Sequence, residues 1–229
     1  MSATLGVVML DTRFPRPRGD IGNAQTFAFP VHYRTVASAS PRRVVIERDP
    51  ALLAPFIDAA RALEREGVAA ITTSCGFLAL FQREMASSVK VPMWTSSLLL
   101  VAEIEAGLPE GRRVGIVTAD VDSLTAEHLV AVGARADTPR EGLSLDSRFR
   151  ATLLEDRTDL DAADAERATV AAALRLVARH PAVDAIVLEC TNMPPYAEAV
   201  SAATGRPVHD ITTLVRSRFP AATASGRTR

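Results

Sequence analysis

The two cysteines of this chain, Cys75 and Cys190, stand where chemistry is commonly done. Cys75 lies in Thr72-Thr73-Ser74-Cys75-Gly76-Phe77, where an apolar, β-branched run gives way to a helix-like one. Cys190 lies in Glu189-Cys190-Thr191-Asn192-Met193-Pro194, again where an apolar run ends, and Pro194 suits the first turn of a helix. In an open α/β sheet, ligands bind at the carboxyl ends of strands. The N–H groups at a helix start also favour a thiolate over a thiol whose ordinary pKa is about 8.5. A lone free cysteine is most often a small buried hydrophobe. Two at equivalent strand-to-helix junctions, 115 residues apart, have no packing reason to match. Thiols on opposite sides of a cleft can take a proton from one face of a carbon and return one to the other, which is stereoinversion.

The elements that must position these thiols alternate along the chain as strand and helix, the pattern of a parallel sheet covered by helices, so the fold class is α/β. The expected strands are Leu5–Leu10, Arg43–Glu47, Val68–Thr72, Val91–Met93, Val114–Val117, Ala185–Leu188 and Pro207–Val208. The expected covering helices are Ala51–Glu66, Phe77–Ser87, Ser96–Ala106, Ser123–Val132 and Asp161–Ala178, the last stopped by Pro181. Asp11–Ser40, rich in proline, glycine and arginine, reads as a long functional loop, and Ala221–Arg229 as a frayed tail. A weak internal echo supports two halves: Val68–Cys75 and Val183–Cys190 are both apolar runs ending in cysteine.

Composition excludes several classes. The chain has 229 residues, 48% hydrophobic and 23% charged, enough for a sizeable core and against wholesale disorder. With 26 basic residues against 27 acidic, a nucleic-acid partner is not expected. No apolar run approaches the about 18 to 20 residues that cross a bilayer, and the N-terminus lacks a secretory pattern, so no membrane association and a cytoplasmic location are expected. Two cysteines are too few for a disulfide scaffold. The histidines His32, His128, His180 and His209 show neither H-x-x-x-H spacing nor a C-x-x-C partner, so no metal is expected. The glycine-rich signatures of dinucleotide enzymes and P-loop ATPases, and the G-x-S-x-G of serine hydrolases, are missing.

Asp11-Thr12 after the first strand, Cys75 after the third, and Cys190-Thr191 followed by Pro194 resemble the aspartate/glutamate racemase superfamily, which also holds hydantoin racemases, arylmalonate decarboxylases and maleate isomerases. The resemblance spans nearly the whole chain and implies two similar α/β halves with the active site between them. One half would be residues 1–96 plus 209–229 and the other 97–208. It implies no cofactor, neither pyridoxal phosphate nor metal, with Cys75 and Cys190 as the acid/base pair. It also implies Asp11 beside Cys75, and Thr12 and Thr191 on the substrate carboxylate, with Thr118 at a polar position of the family's fifth strand. The chain has Gly76-Phe77 and Thr191-Asn192 where glutamate racemases carry Asn-Thr and Thr-His. Gly76 therefore offers only its backbone N–H, and Asn192 no titratable ring.

The expected function is a cofactor-independent racemase or epimerase acting on an amino acid or related small carboxylate. The alternatives are a single-cysteine enzyme of the maleate isomerase or arylmalonate decarboxylase kind, or a non-catalytic protein that binds a small carboxylate. Arg13, Arg16 or Arg18 could pair bidentately with a second carboxylate, although each alone reads as a solvated loop residue. Phe27, Phe77, Trp94 and Tyr196 are expected to govern pocket size, and a homodimer is expected as the commonest assembly of such enzymes.

Overall fold

Two four-stranded parallel sheets organise the chain, and the computed structural model describes residues 3–225. The first sheet holds β1 (Leu5–Leu10), β2 (Val31–Val36), β3 (Ala70–Thr73) and β4 (Met93–Trp94) in the order β2-β1-β3-β4. The second holds β5 (Arg113–Thr118), β6 (Arg140–Gly142), β7 (Val183–Leu188) and β8 (Val208–His209) in the order β6-β5-β7-β8. The two orders are the same once the second is renumbered from its own first strand. Thus β3 and β7 occupy equivalent places, and so do the junctions that follow them.

Alternation along β1 divides the core. Val8 and Leu10 pack on the face covered by α1 (Leu53–Arg65), while Leu5, Val7 and Met9 pack on the other. Helix α1 buries Phe56, Ala59, Ala60 and Leu63 at helical spacing. The opposite face is covered by α8 (Ile211–Ser225) through Ile211, Leu214, Val215 and Phe219. That helix starts where Asp210 Oδ1 accepts the Thr212 and Thr213 N–H groups at 2.7 and 2.9 Å. In the second sheet, α6 (Ala162–Arg179) is capped by Asp161, which accepts Asp164 N–H at 3.0 Å, and buries Ala165, Ala172, Ala173 and Leu176. The remaining helices are α2 (Gln82–Ser87), α3 (Val101–Ala106), α4 (Ala126–Ala131), α5 (Arg148–Leu154) and α7 (Ala197–Thr204).

Three expectations require correction. Arg43–Glu47 is not a strand: Arg42–Ile46 form one wide helical turn, with only Val44 and Val45 buried. The strand beside β1 is instead Val31–Val36, inside the segment expected as loop. It is an edge strand whose His32 and Thr35 are exposed, which erased the apolar signal. The C-terminal tail is helical through Ser225, with Pro220 inside α8, and the rest of the expected frayed segment lies outside the described residues. The short strand β6 and the helix α5 were not anticipated, because neither sustains a clear period.

Candidate active site

Strand β3 delivers Cys75 to the carboxyl edge of the first sheet. Ser74 N–H continues the ladder to Val8 O at 2.9 Å, Ser74 Oγ accepts Leu10 N–H at 2.8 Å, and Thr73 Oγ1 donates to Thr95 O at 2.6 Å. Cys75 is still extended (φ −149°, ψ 117°), and a 3-10 helix, Gly76–Phe81, begins immediately after it. Its thiol therefore faces the Phe77 and Leu78 N–H groups.

Strand β7 delivers Cys190 in the same way, Glu189 N–H bonding Val117 O at 2.8 Å. The two junctions then touch. Thr191 Oγ1 donates to Ser74 O at 2.7 Å, and Ser97 Oγ donates to Leu188 O at 2.7 Å. Both cysteines line one pocket of about 390 Å³, mouth included, walled by Leu10, Phe14 and Phe77 and joined by Arg16. The Arg16 guanidinium lies 4.7 Å from the centre of the Phe14 ring and donates to Asp20 Oδ1 and Thr12 Oγ1, both at 2.9 Å. Those bonds engage two of its five N–H donors.

Burial governs the electrostatics. It pushes the Cys75 thiol up to about 12, helped by the Glu189 charge and opposed by the Phe77 N–H, Arg16 and the Leu78 N–H. Cys190, half-buried, is likewise raised well above the ordinary thiol value by burial first, then by the charges of Glu189, Cys75 and Asp20, against one N–H from Asn192. Glu189 itself is fully buried. Burial raises its carboxyl to about 7, although Thr118 Oγ1 donates to Oε2 at 2.7 Å. Its Oε1 has no hydrogen-bond partner among the described residues and packs against Gly76, so a carboxyl of one sheet abuts the cysteine junction of the other.

The positions singled out from the sequence are distributed as follows. Cys75, Gly76, Cys190, Thr191 and Asn192 line the pocket. Thr118 stands behind it, on Glu189, and Thr12 touches it through Arg16. Asp11 is not among the residues that line the pocket: it is exposed, its carboxylate accepts Ser38 N–H at 3.1 Å and its own N–H bonds Ala39 O at 3.1 Å, at the turn after β2. Of the three loop arginines only Arg16 reaches the pocket; Arg13 pairs with Asp156 at 2.9 Å and Arg18 is exposed. Phe77 lines the pocket, whereas Phe27 and Trp94 pack in the α8 core and Tyr196 in the second. Sequence reasoning passed over Glu189 and Asp20. An acid closing an apolar strand just before a cysteine, and an acid flanked by glycines, Gly19-Asp20-Ile21-Gly22, were the available signals. No group of three or more His, Cys, Asp or Glu side chains among the described residues could hold a metal ion, and no described helix is long and apolar enough to cross a membrane.

The family model for Asp/Glu/hydantoin racemase matches residues 23–216. Among curated proteins, a dimethylsulfoniopropionate lyase of Durusdinium sp. clade D is 32% identical over 222 residues, 91% of this chain and 71% of that protein. Dimethylsulfoniopropionate lyase 3 of Emiliania huxleyi is 32% identical over 225 residues, 93% of this chain, which spans only 58% of the longer relative. Among solved structures, unliganded arylmalonate decarboxylase aligns with a TM-score of 0.61 at 20% identity, covering 97% of this chain and 92% of that one, a likeness of fold.

Proposed function

The chain belongs to the Asp/Glu/hydantoin racemase family, and from that premise we propose that one of its cysteine thiolates removes the proton α to the carboxylate of a small substrate bearing a cationic β-substituent, which then leaves. The observation that carries this reading is that Cys75, Cys190 and Arg16 line one pocket, together with Phe14, Phe77, Glu189, Thr191 and Asn192. The guanidinium holds the carboxylate, the charge that develops as the α-proton departs lies on that carboxylate, and a thiol is within the same small space. The lyase names of the relatives support it further, and dimethylsulfoniopropionate is the substrate proposed.

The step balances. Thiolate sulfur bonds the α-proton, the C–H electron pair becomes the Cα–Cβ double bond, and the C–S electron pair leaves on sulfur, giving acrylate, dimethyl sulfide and a neutral thiol. An α-amino acid suits the pocket less well. Its ammonium brings three N–H donors, and Asp11, the acid that the resemblance assigned beside Cys75, points to solvent. A sulfonium donates no hydrogen bond, and Phe77 gives the pocket an aromatic wall that suits it.

A second reading, two-base racemisation, is favoured by the second thiol, since elimination needs one base and inversion needs an acid opposite it. One experiment separates the two. Wild type, Cys75→Ser and Cys190→Ser are incubated in deuterium oxide with dimethylsulfoniopropionate and with a panel of amino acids, hydantoins and arylmalonates, followed by NMR. Acrylate formation supports the lyase, and α-deuteration with an intact skeleton, lost in both variants, supports the racemase. Neither product from any substrate sinks both.

A further inference from the structure

The loop after β1 carries a chain of hydrogen bonds that ends on one of the two thiols. Asp20 is 1% exposed. Its Oδ1 accepts Arg16 Nη1 at 2.9 Å and the Gly22 N–H at 2.7 Å, and its Oδ2 accepts Asn192 Nδ2 at 2.6 Å. Thr26 fastens the turn, its hydroxyl donating to Asp20 O at 2.6 Å and accepting the Gly19 N–H at 3.0 Å. Gly19, at φ +104°, lets that turn lie against Pro195 of the second sheet's junction, where a Cβ would meet Pro195 Cα at 3.1 Å.

A carboxylate only accepts, so Asp20 fixes which end of the Asn192 amide it faces. The Asn192 carbonyl must then turn the other way, where Oδ1 meets Cys190 Sγ at 3.5 Å. A carbonyl oxygen also only accepts, so in this contact the Cys190 S–H donates. We propose that Asp20 is a positioning residue that, through Asn192, holds Cys190 as a protonated, hydrogen-donating thiol and leaves Cys75 as the member of the pair that ionises. The inference rests on the reading in which one thiolate removes the α-proton, and names which one it is.

The surroundings of the two sulfurs agree with this division. Cys75 faces the Phe77 and Leu78 N–H groups and the Arg16 guanidinium, all of which favour its thiolate, against the Glu189 charge. Cys190 faces the Glu189, Cys75 and Asp20 charges, with only the Asn192 N–H in its favour, and the Cys190 charge in turn adds to the burial that keeps Tyr196 a neutral phenol. Two thiols in one pocket lose their protons as a coupled pair, so an acceptor fixed at one of them decides which goes first. Replacing the Asp20 carboxylate by an amide reverses the constraint, because the Arg16 and Gly22 N–H groups keep the carbonyl end at the Oδ1 place and the new NH2 then faces Asn192, whose own carbonyl must turn to accept from it. The Asn192 Nδ2 is then free to turn toward sulfur.

The test reads Cys190 alone. In Cys75→Ala, with and without Asp20→Asn, the rate of iodoacetamide alkylation of the Cys190 peptide is followed by mass spectrometry against pH. Asp20→Asn is expected to lower the midpoint by about one unit, about tenfold faster alkylation at pH 8, since thiolate is the reacting form. An unchanged or higher midpoint in the folded double variant overturns the proposal. A second measurement does not depend on that variant folding. The Raman S–H stretch of Cys190 in Cys75→Ala is expected at the lowered frequency of a donating thiol and to persist past the ordinary thiol pKa of about 8.5. A free-thiol frequency, or loss of the band by that pH, overturns it as well. Neither readout requires turnover, so a failure of the elimination reading and a failure of this assignment are told apart.

Discussion

Gly76→Ala tests whether the two halves meet as rigidly as the geometry requires. A Cβ on Gly76 would overlap both the Glu189 carboxylate and the Glu189 backbone carbonyl oxygen, and would lie 2.8 Å from Glu189 Cδ. A side chain could swing away, but the carbonyl directly follows β7, just ahead of Cys190, and Glu189 Oε2 is tied to Thr118 at 2.7 Å. The strand end must therefore retreat by several tenths of an ångström, and Cys190 with it. Overpacking of this kind costs about 1–3 kcal/mol. Misplacing a reacting group by about 1 Å costs up to about a hundredfold in rate. We expect Gly76→Ala to lose about 2 kcal/mol in urea denaturation and more than about tenfold in turnover. Gly107→Ala is the control: its nearest contact would be Ile104 O at 3.5 Å, and its φ of −92° suits any residue, so it should fall within about 0.5 kcal/mol of wild type. A Gly76→Ala protein as stable and active as that control would refute the account of the seam.

Glu189→Gln should change how stability depends on pH. The folded carboxyl is raised from 4.5 to about 7, so between those values the folded state holds a proton that the unfolded state has lost, and stability falls as pH rises through the window. The loss is about 3 kcal/mol. Urea midpoints at pH 5 and pH 8 should therefore diverge more in wild type than in Glu189→Gln, and parallel behaviour would count against a raised carboxyl. Asp11→Asn should leave kcat/KM within about threefold, because the exposed Asp11 carboxylate touches Ser38 and not the pocket; a hundredfold fall would return it to the site. Asp210→Ala should cost about 1–2 kcal/mol by uncapping α8, with kinetics unchanged, as thermal denaturation and assay would show.

Legibility in the sequence followed burial. β1, β5 and β7 are apolar because both faces are covered, and their runs announced them. β2 shows its polar side chains to water, so its pattern resembled a loop, while Val44-Val45-Ile46 looked like a strand although the turn after Pro41 bends it into a helix. The cysteine junctions were legible because chemistry-bearing residues recur at equivalent strand ends. The partners of those thiols were not, because they arrive from elsewhere in the chain: Asp20 reaches Asn192 across 172 residues, and Thr191 reaches Ser74 across 117. Spacing along a sequence carries no sign of such contacts. Arg16 lines the pocket where Asp11 does not, and only the packing of the loop over Phe14 distinguishes it from Arg13 and Arg18.

The raised thiols bear on the nature of the substrate. Burial keeps the Cys75 thiol protonated at neutral pH. On the proposed elimination, a pocket that disfavours the thiolate when empty works best with a substrate that brings positive charge. A sulfonium about 4 Å from sulfur favours the thiolate by about 4 kcal/mol at an effective dielectric of about 20, and so lowers the Cys75 thiol back toward its ordinary range. Protonation of Glu189 would remove the second cause of the rise and lower it further. The probe is β-(trimethylammonio)propionate, a zwitterion with a poor leaving group, against the isosteric carboxylate that has an uncharged carbon in place of the ammonium nitrogen. In Cys190→Ser at pH 8 the ultraviolet thiolate absorbance should rise on saturation with the ammonium compound and not with its carbon isostere. Equal responses to the two would mean that desolvation alone sets the thiol, and that the substrate's charge plays no part in generating the base.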